Sequence, residues 1–252
     1  MLILLPPSET KRAGGTGAAL DAGALALPRL RAPRDATVDA LVALAADEDA
    51  AARVLKLSAR QRGEIATNAA LRQAPTMPAV DRYTGVLYDA LGAASLDAAA
   101  RRWLGAHVLI HSAPFGPIGA LDAIPAYRLA ANTSLPGLPP LRRLWAAPVT
   151  DALAEAAPSF VLDLRSEAYA ALGPVPGTVP SAYVRVVSAS ADGAVRALNH
   201  FNKSAKGRLV RHLAQARPRV STPEGLRRHL QEAGMRIQPA DGEWMLYADV
   251  HG

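Results

Sequence analysis

The 252-residue chain has no cysteine, few aromatic residues and no long hydrophobic run. The absence of cysteine excludes disulfides, thiolate metal sites and cysteine nucleophiles, and it fits a reducing compartment. With three Trp, six Tyr and three Phe, most core packing falls to Ala, Leu and Val. The apolar opening "MLILL" stops at Pro6 and no basic segment precedes it, so it predicts neither a signal peptide nor a membrane span. We therefore expect a cytoplasmic protein with no membrane partner.

Lysine and asparagine are also scarce, which makes one short segment stand out. The chain has four lysines, four asparagines and 24 arginines, yet Asn199, Asn202, Lys203 and Lys206 fall within eight positions. A lysine is a compact point charge whose pKa falls on burial, whereas arginine stays charged. This clustering indicates a site that needs point charges or a titratable amine.

Positive charge is concentrated in the same region. Residues 196–236 contain ten Lys or Arg against two Glu, a local balance of +8 in a chain whose net charge is +6. Such a block is typical of a protein that binds a polyanion, either nucleic acid or a phosphorylated small molecule. A solvated, arginine-rich helical surface is the alternative interpretation.

Short apolar runs alternate with amphipathic segments, which predicts an α/β protein. We expect strands at 1–5, 107–113, 160–164, 181–189 and 243–250. We expect helices at 37–53, 56–71, 95–105, 141–155, from about 204, and at 222–234. Residues 14–34 and 114–129 are predicted to be loops, the second because it holds three prolines and two glycines. The fold class is α/β: a single compact domain over residues 1–252, with a mixed β-sheet surrounded by helices.

In open α/β sheets, ligands bind beyond the carboxyl ends of the strands. The predicted loops at those ends and the basic segment together supply a candidate pocket. We assign catalytic roles to Lys203, His200, Asp122 and Tyr127, and ligand or anion binding to Ser8, Lys11, Arg128, Arg165, Asn202, Lys206 and Arg208. The residues expected to converge in one concave site are Lys11, Asp122, Arg128, Arg165, His200 and Lys203. Phosphate-binding glycine loops and metal-ligand spacings are absent, so we predict no metal ion and no cofactor.

The basic helix has a functional and a structural interpretation. Lys203 and Lys206 are expected to flank the helix entrance, where backbone N–H groups favour an anion. Alternatively, Asn202 or Ser204 simply caps the helix and the cations are solvated.

The other candidates also have structural alternatives. His200 can be a general acid or base, or a packed or capping residue. Asp163 and Arg165 can form an internal salt bridge rather than a ligand clamp. Asp122 can belong to a structural hydrogen-bond network.

Four motifs carry a resemblance to a known family: "MLILLPPSETK", "GALDAIPAYRL", "FVLDLRSEAYAAL" and "HFNKSAKGRLVRHL". In order and spacing they resemble the YaaA peroxide-stress family along nearly the whole chain. The resemblance implies a compact mixed α/β fold with a basic cleft, a cytoplasmic location, a role in limiting damage by hydrogen peroxide, and binding to duplex or branched DNA. It also implies a helix-hairpin-helix element near residues 81–91.

That hairpin segment, "DRYTGVLYDAL", has Arg82 as its single basic residue. The C-terminal basic block is therefore expected to supply more of the DNA contacts. The residues assigned to DNA binding are Arg211, Arg217, Arg227 and Arg228.

Two classes of function follow. In the first, the protein is a non-enzymatic stress protein that binds DNA phosphates with little sequence reading. In the second, it is an enzyme that acts on a small phosphorylated or nucleobase-like substrate in the pocket described above.

Overall fold

A computed structural model of the protein describes residues 1–189, 195–196, 199–240 and 242–248, with the side chains of 188, 189, 195, 196 and 199–201 outside the description. Its strands are β1 Leu2–Leu5, β2 Met77–Pro78, β3 Val108–Ser112, β4 Gly116–Gly119, β5 Ala123–Ile124, β6 Val161–Asp163, β7 Ser181–Ala189, β8 Val195–Arg196, β9 Ile237–Ala240 and β10 Glu243–Tyr247. Its α-helices are α1 Arg31–Leu44, α2 Glu48–Val54, α3 Glu64–Ala69, α4 Ala79–Arg82, α5 Val86–Leu91, α6 Ala98–His107, α7 Leu141–Ala156, α8 Glu167–Ala170, α9 Asn199–Ala216 and α10 Pro223–Glu232.

The main sheet of the described chain has eight strands in the order β4-β3-β1-β6-β7-β10-β9, and β8 pairs with β7 beside this path. Strands β3, β1, β6, β7 and β10 run parallel, while β4, β8 and β9 pair antiparallel. A separate two-stranded ribbon joins β2 to β5. The predicted α/β class with a mixed sheet among helices is confirmed.

The centre of the sheet is buried on both faces. Ile3, Leu4 and Leu5 of β1 are fully buried, and every residue of β3 and β6 is buried as well. Parallel strands covered by helices have apolar residues on both faces, which explains the short continuous runs in the sequence. Because these strands are parallel, the segments that follow β1, β3 and β6 meet at one edge of the sheet.

The predicted loop at 114–129 was wrong in part, because it contains β4 and β5. Strand β4 lies at the end of the sheet order and pairs only with β3 in the described chain. Pro117 is tolerated there because an edge strand leaves half of its backbone groups without a ladder partner. Gly116 adopts φ 64°, a left-handed conformation that favours glycine.

Several helix boundaries also differ from the predicted ones. Thr37 does not cap a helix: α1 begins at Arg31, and the Thr37 hydroxyl donates to the Pro33 carbonyl from inside it. Helix α6 is capped by Asp97 rather than Ser95. Residues 56–71 form a 3₁₀ turn and the short α3 instead of one helix.

The basic helix α9 begins at Asn199, about one turn earlier than predicted. As a result, Lys203 and Lys206 lie within the helix and do not flank its entrance. Helix α9 packs closely on α5: at Gly207, an added Cβ would overlap the Leu87 carbonyl oxygen. The Arg211 guanidinium donates to the Leu91 and Gly92 carbonyls at 2.9 and 3.1 Å, so it closes the C-terminal end of α5. The hairpin and the basic helix thus form one packed unit.

Within the described ranges, every helix is too short or too polar to cross a lipid bilayer.

Candidate functional site

The Lys11 amine is the centre of the first polar cluster at the sheet edge. Its Nζ donates to the Ser8 and Glu9 carbonyls at 3.0 and 3.2 Å, and it lies 4.0 Å from the centroid of the Tyr127 ring. Burial, and secondarily the positive charge of Arg128, lowers the pKa of Lys11 to about 7. The tyrosine face attracts a cation, so the amine is titratable near neutrality and not locked in either form.

Arg128 lies beside this amine and is held through its backbone. The Arg128 N–H donates to Asn68 Oδ1 at 2.7 Å, and Asn68 Nδ2 donates to the Arg128 carbonyl at 2.9 Å. Its guanidinium is 3.6 Å from Glu64 and 3.8 Å from Glu9, both longer than a strong hydrogen bond. The Arg128 backbone is therefore fixed by Asn68, and the guanidinium retains N–H donors for an anion.

Three tyrosines pack under Lys11. The Tyr83 and Tyr127 hydroxyls lie 2.8 Å apart, and the Tyr88 hydroxyl donates to the Pro6 carbonyl at 2.7 Å. Burial raises the pKa of all three phenols well above the ordinary value, so they stay protonated. The proposed catalytic role of Tyr127 remains a prediction. Its hydroxyl is a neutral partner of Tyr83.

A pocket of about 200 Å³ opens beside the Lys11 cluster. Its walls come from the loop after β1, from Leu129 to Asn132, and from α8, and they include Ser8, Glu9 and Tyr169. The carbonyls of Ser8 and Glu9 that accept from Lys11 thus belong to residues of the pocket wall. Burial raises the pKa of Tyr169 as well, with smaller effects from Tyr127 and Glu9.

Arg165 forms a buried clamp after β6. Its guanidinium donates to both carboxylate oxygens of Asp163 at 2.9 and 2.6 Å and to the Gly173 carbonyl at 2.8 Å. It also faces His111 Nδ1 at 2.8 Å, and because arginine only donates, that nitrogen is the acceptor. Burial and the nearby Arg165 charge lower the pKa of His111 well below its usual range. Arg165 is fully buried and pairs with Asp163, which is the internal salt bridge named above as the alternative to a ligand clamp.

Lys206 is a second buried amine at the same edge. Its Nζ donates to the Leu164 carbonyl at 2.9 Å, directly after β6, and only 6% of the residue is exposed. Burial lowers its pKa to about 8, partly opposed by Asp163. The Leu164 N–H donates to the Leu4 carbonyl, which ties this position to β1. Two of the four lysines in the sequence thus end as buried amines on neighbouring strand ends.

The remaining predicted residues are more dispersed. Asp122 Oδ2 accepts from the Ala26 and Gly119 N–H groups at 2.7 Å each, so its carboxylate orders the turn after β4. Lys203 is exposed on α9 and Asn202 is half-buried on the preceding position. The His200 side chain lies outside the described residues. The catalytic roles of Asp122, Lys203 and His200 and the ligand-binding role of Asn202 remain predictions.

The predicted DNA-binding arginines separate into different environments. Arg211 is engaged with α5, as described above, while Arg227 contacts Gln231 at 3.1 Å within α10 and Arg228 is exposed. Arg217 follows α9 and approaches Asp97 at 3.7 Å. Arg208 is exposed and donates to Ser204 at 2.7 Å.

Arg217 also lines an open groove of about 580 Å³ between α6 and the loop from α9 to α10. Arg219, Trp103 and His107 form other parts of its wall. The Trp103 and His107 rings are in contact at a tilt of 38°, with centroids 4.5 Å apart, and His107 Nδ1 donates to the Met1 carbonyl at 3.0 Å. The sequence analysis did not predict that residues of α6 line this groove. The pattern "RRWLGAH", in which basic and aromatic residues alternate with apolar ones, could have indicated it.

The hairpin segment has no phosphate-binding cation of its own among the described side chains. Arg82 is fully buried and donates to the carbonyls of Arg12, Gly14 and Ile124. Gly85, at φ 93°, provides the sharp entry to α5. The expectation that other segments supply the phosphate contacts stays a prediction.

The chain is similar in sequence to known proteins along nearly its whole length. The family model described as "Peroxide stress protein YaaA" matches residues 1–240. The chain belongs to the YaaA family of peroxide stress proteins. A UPF0246 protein of Streptomyces coelicolor is 45% identical over 260 residues, covering 100% of this chain and 99% of its own. A UPF0246 protein of Corynebacterium efficiens is 46% identical over 247 residues, covering 96% of each chain. A third, from Corynebacterium glutamicum, is 43% identical over 242 residues, covering 94% and 95%. The resemblance seen in the YaaA motifs is confirmed.

Proposed function

We propose that this YaaA-family protein acts in the cytoplasm during peroxide stress by binding DNA through the arginine-lined groove beside α6. The observation that carries the proposal is the presence of Arg217 and Arg219 in one wall of a groove of about 580 Å³. Guanidinium groups match phosphate geometry and stay charged, so paired arginines in an open groove are suited to a nucleic-acid backbone.

The charge around the groove supports the same partner. A hydrogen bond from the Ala100 N–H lowers the pKa of Asp97, and Arg217 and Arg102 lower it further, so both arginines lie close to this carboxylate. Arg102 is exposed on α6, and Arg228 is exposed on α10, which begins directly after the groove loop. The cations thus continue beyond the groove on both flanking helices.

Binding through these side chains involves phosphate contact more than base reading. Trp103 is only 8% exposed and packs against His107, so it forms the floor of the groove and presents little surface to a base. Affinity is therefore expected to depend strongly on salt and weakly on sequence.

The test is a salt titration of duplex binding by fluorescence anisotropy. Arg217→Gln and Arg219→Gln are each expected to weaken binding and to reduce the slope of log affinity against log salt by about one. Arg29→Gln is the matched control, because Arg29 is exposed but pairs with Glu155 on α7. Slopes that stay equal in all four proteins would place the DNA surface elsewhere.

A second candidate function is an enzyme that acts on a small phosphorylated or nucleobase-like substrate. The pocket of about 200 Å³ at the strand carboxyl ends favours it, because Ser8 lies in the wall and Arg128 beside it retains donors. Thermal denaturation with a panel of nucleoside monophosphates and sugar phosphates tests this function. A stabilising compound that loses its effect in Arg128→Gln supports it, and a panel without any stabilising compound contradicts it.

A further inference from the structure

We propose that His212 of α9 and His229 of α10 together bind a divalent transition-metal ion, such as Zn²⁺. The fold brings the two side chains into contact although 17 residues separate them in the sequence. No metal ion was predicted from the sequence, because a pair formed between two helices has no characteristic spacing. The site concerns neither DNA binding nor the pocket beside β1, so its failure is distinct from failure of either candidate function.

The geometry of the pair suits one ion held by both rings. The two Nε2 atoms lie 3.3 Å apart, longer than the about 2.7–3.2 Å usual for a hydrogen bond from an N–H group. With Zn–N bonds of about 2.0–2.1 Å, two nitrogens at a tetrahedral angle are about 3.3–3.4 Å apart. The ring centroids are 5.3 Å apart, farther than the nitrogens, so the rings approach each other through Nε2 and are not stacked.

The charge state of the pair agrees with this geometry. Both residues are half-buried, and burial, followed by the effect of His229, lowers the pKa of His212. A neutral imidazole is the form that binds a metal ion, and its proton then lies on Nδ1. Two Nε2 lone pairs directed at each other repel unless a proton or a cation lies between them. A metal ion therefore relieves this repulsion and uses both lone pairs.

The ligand set determines which ions bind. Within the described part of the chain, no third His, Cys, Asp or Glu joins the pair, so water or a small anion completes the coordination. Neutral imidazoles suit Zn²⁺, Cu²⁺ and Ni²⁺, whereas Mg²⁺ and Ca²⁺ require oxygen ligands. We therefore expect selectivity for late transition metals.

The site also connects two helices. His212 lies about one turn before Ala216, the last residue of α9, and α10 begins at Pro223. An ion bound to both histidines thus joins the end of α9 to α10. Because the unfolded chain does not hold the two rings together, Zn²⁺ should stabilise the folded protein.

The first test is calorimetric titration of the intact protein with ZnCl₂, with MgCl₂ as the control ion. Wild type is expected to bind one Zn²⁺ per chain in the micromolar range, with a rise in the urea midpoint, and to show no response to Mg²⁺. An absence of Zn²⁺ binding in the micromolar range would leave the pair as a hydrogen bond and overturn the proposal.

Variants then locate the ion. His212→Gln and His229→Gln should each weaken Zn²⁺ binding by about tenfold or more and remove the rise in the urea midpoint, because each lacks one of the two ligands. His107→Gln is the matched control and should retain the wild-type affinity, since the His107 ring contacts Met1 and Trp103 instead. Unchanged affinity in either of the first two variants would place the ion elsewhere and overturn the proposal.

A measurement on wild type keeps the result independent of how the variants fold. Diethylpyrocarbonate modifies neutral imidazole nitrogens, and peptide mapping assigns the modified histidines. Zn²⁺ is expected to protect His212 and His229 together and to leave modification of His107 unchanged. Modification of His212 and His229 at the same rate with and without Zn²⁺ would refute coordination by the pair.

Discussion

Replacement of Lys206 by methionine removes an amine that the fold buries against the end of β6. In the folded protein its pKa is about 8, because burial disfavours the charged form. In the unfolded chain the amine regains the ordinary lysine value of 10.5. Between these values the unfolded chain binds this proton and the folded protein does not, so the free energy of unfolding rises with pH.

The magnitude follows from the two pKa values. Integrated from pH 7 to pH 9.5, the proton uptake by this one group amounts to about 2 kcal/mol of added stability at the higher pH. Lys206→Met lacks this contribution. The variant also loses the hydrogen bond to the Leu164 carbonyl, but that loss has the same effect at both pH values and cancels in the difference.

The assay is urea denaturation of wild type and variant at pH 7 and pH 9.5. Lys203→Met is the control, because Lys203 is exposed on the same helix. Measurements stop at pH 9.5 because tyrosines of the unfolded chain ionise near pH 10 and reverse the trend. If Lys206→Met retains the full wild-type gain between the two pH values, the burial argument is wrong.

Four further substitutions test the packing and the buried polar contacts. Gly207→Ala places a Cβ against an α5 carbonyl and should lower the free energy of unfolding by about 1–3 kcal/mol. Gly63 has open space around it and φ −58°, so Gly63→Ala should raise the free energy of unfolding by about 0.4–1 kcal/mol. Equal denaturation midpoints for the two variants would contradict this. Asp163→Asn leaves the buried Arg165 without its charge partner and should cost about 3–5 kcal/mol in chemical denaturation, and an unchanged midpoint would count against the clamp. Arg211→Gln should lower stability by about 1–3 kcal/mol and leave the salt slope of DNA binding unchanged, while a reduced slope would return Arg211 to the DNA surface.

The sequence predicted the centre of the fold better than its edges. The strands β1, β3 and β6 were identifiable because a parallel strand buried on both faces is a short continuous apolar run. Strand β4 was missed because Pro117 and its glycines suggest a loop, and only the sheet order reveals that this strand is at an edge. Position in the sheet is a long-range property that a local pattern does not contain.

The scarcity of lysine was a useful signal, but it did not separate the lysines by environment. Lys206 is buried and Lys203 exposed, although they are three residues apart. Lys206 Nζ reaches the Leu164 carbonyl at the end of β6, whereas Lys203 lies at an exposed position of α9. Arg211 was predicted to bind DNA, yet its guanidinium donates to the Leu91 and Gly92 carbonyls, which come from a distant segment of the chain.

Helix α9 is a rigid connection between two regions of the molecule that differ in chemistry. Lys206 binds the end of β6 from the middle of the helix, and Ala216, the last residue of the helix, lines the groove. Ten residues of α-helix separate them, a distance of about 15 Å. If a ligand displaced Lys206 from Leu164 and moved α9, the groove at the end of the helix would change with it, and any effect on DNA affinity would be matched by an equal effect of DNA on the affinity for that ligand.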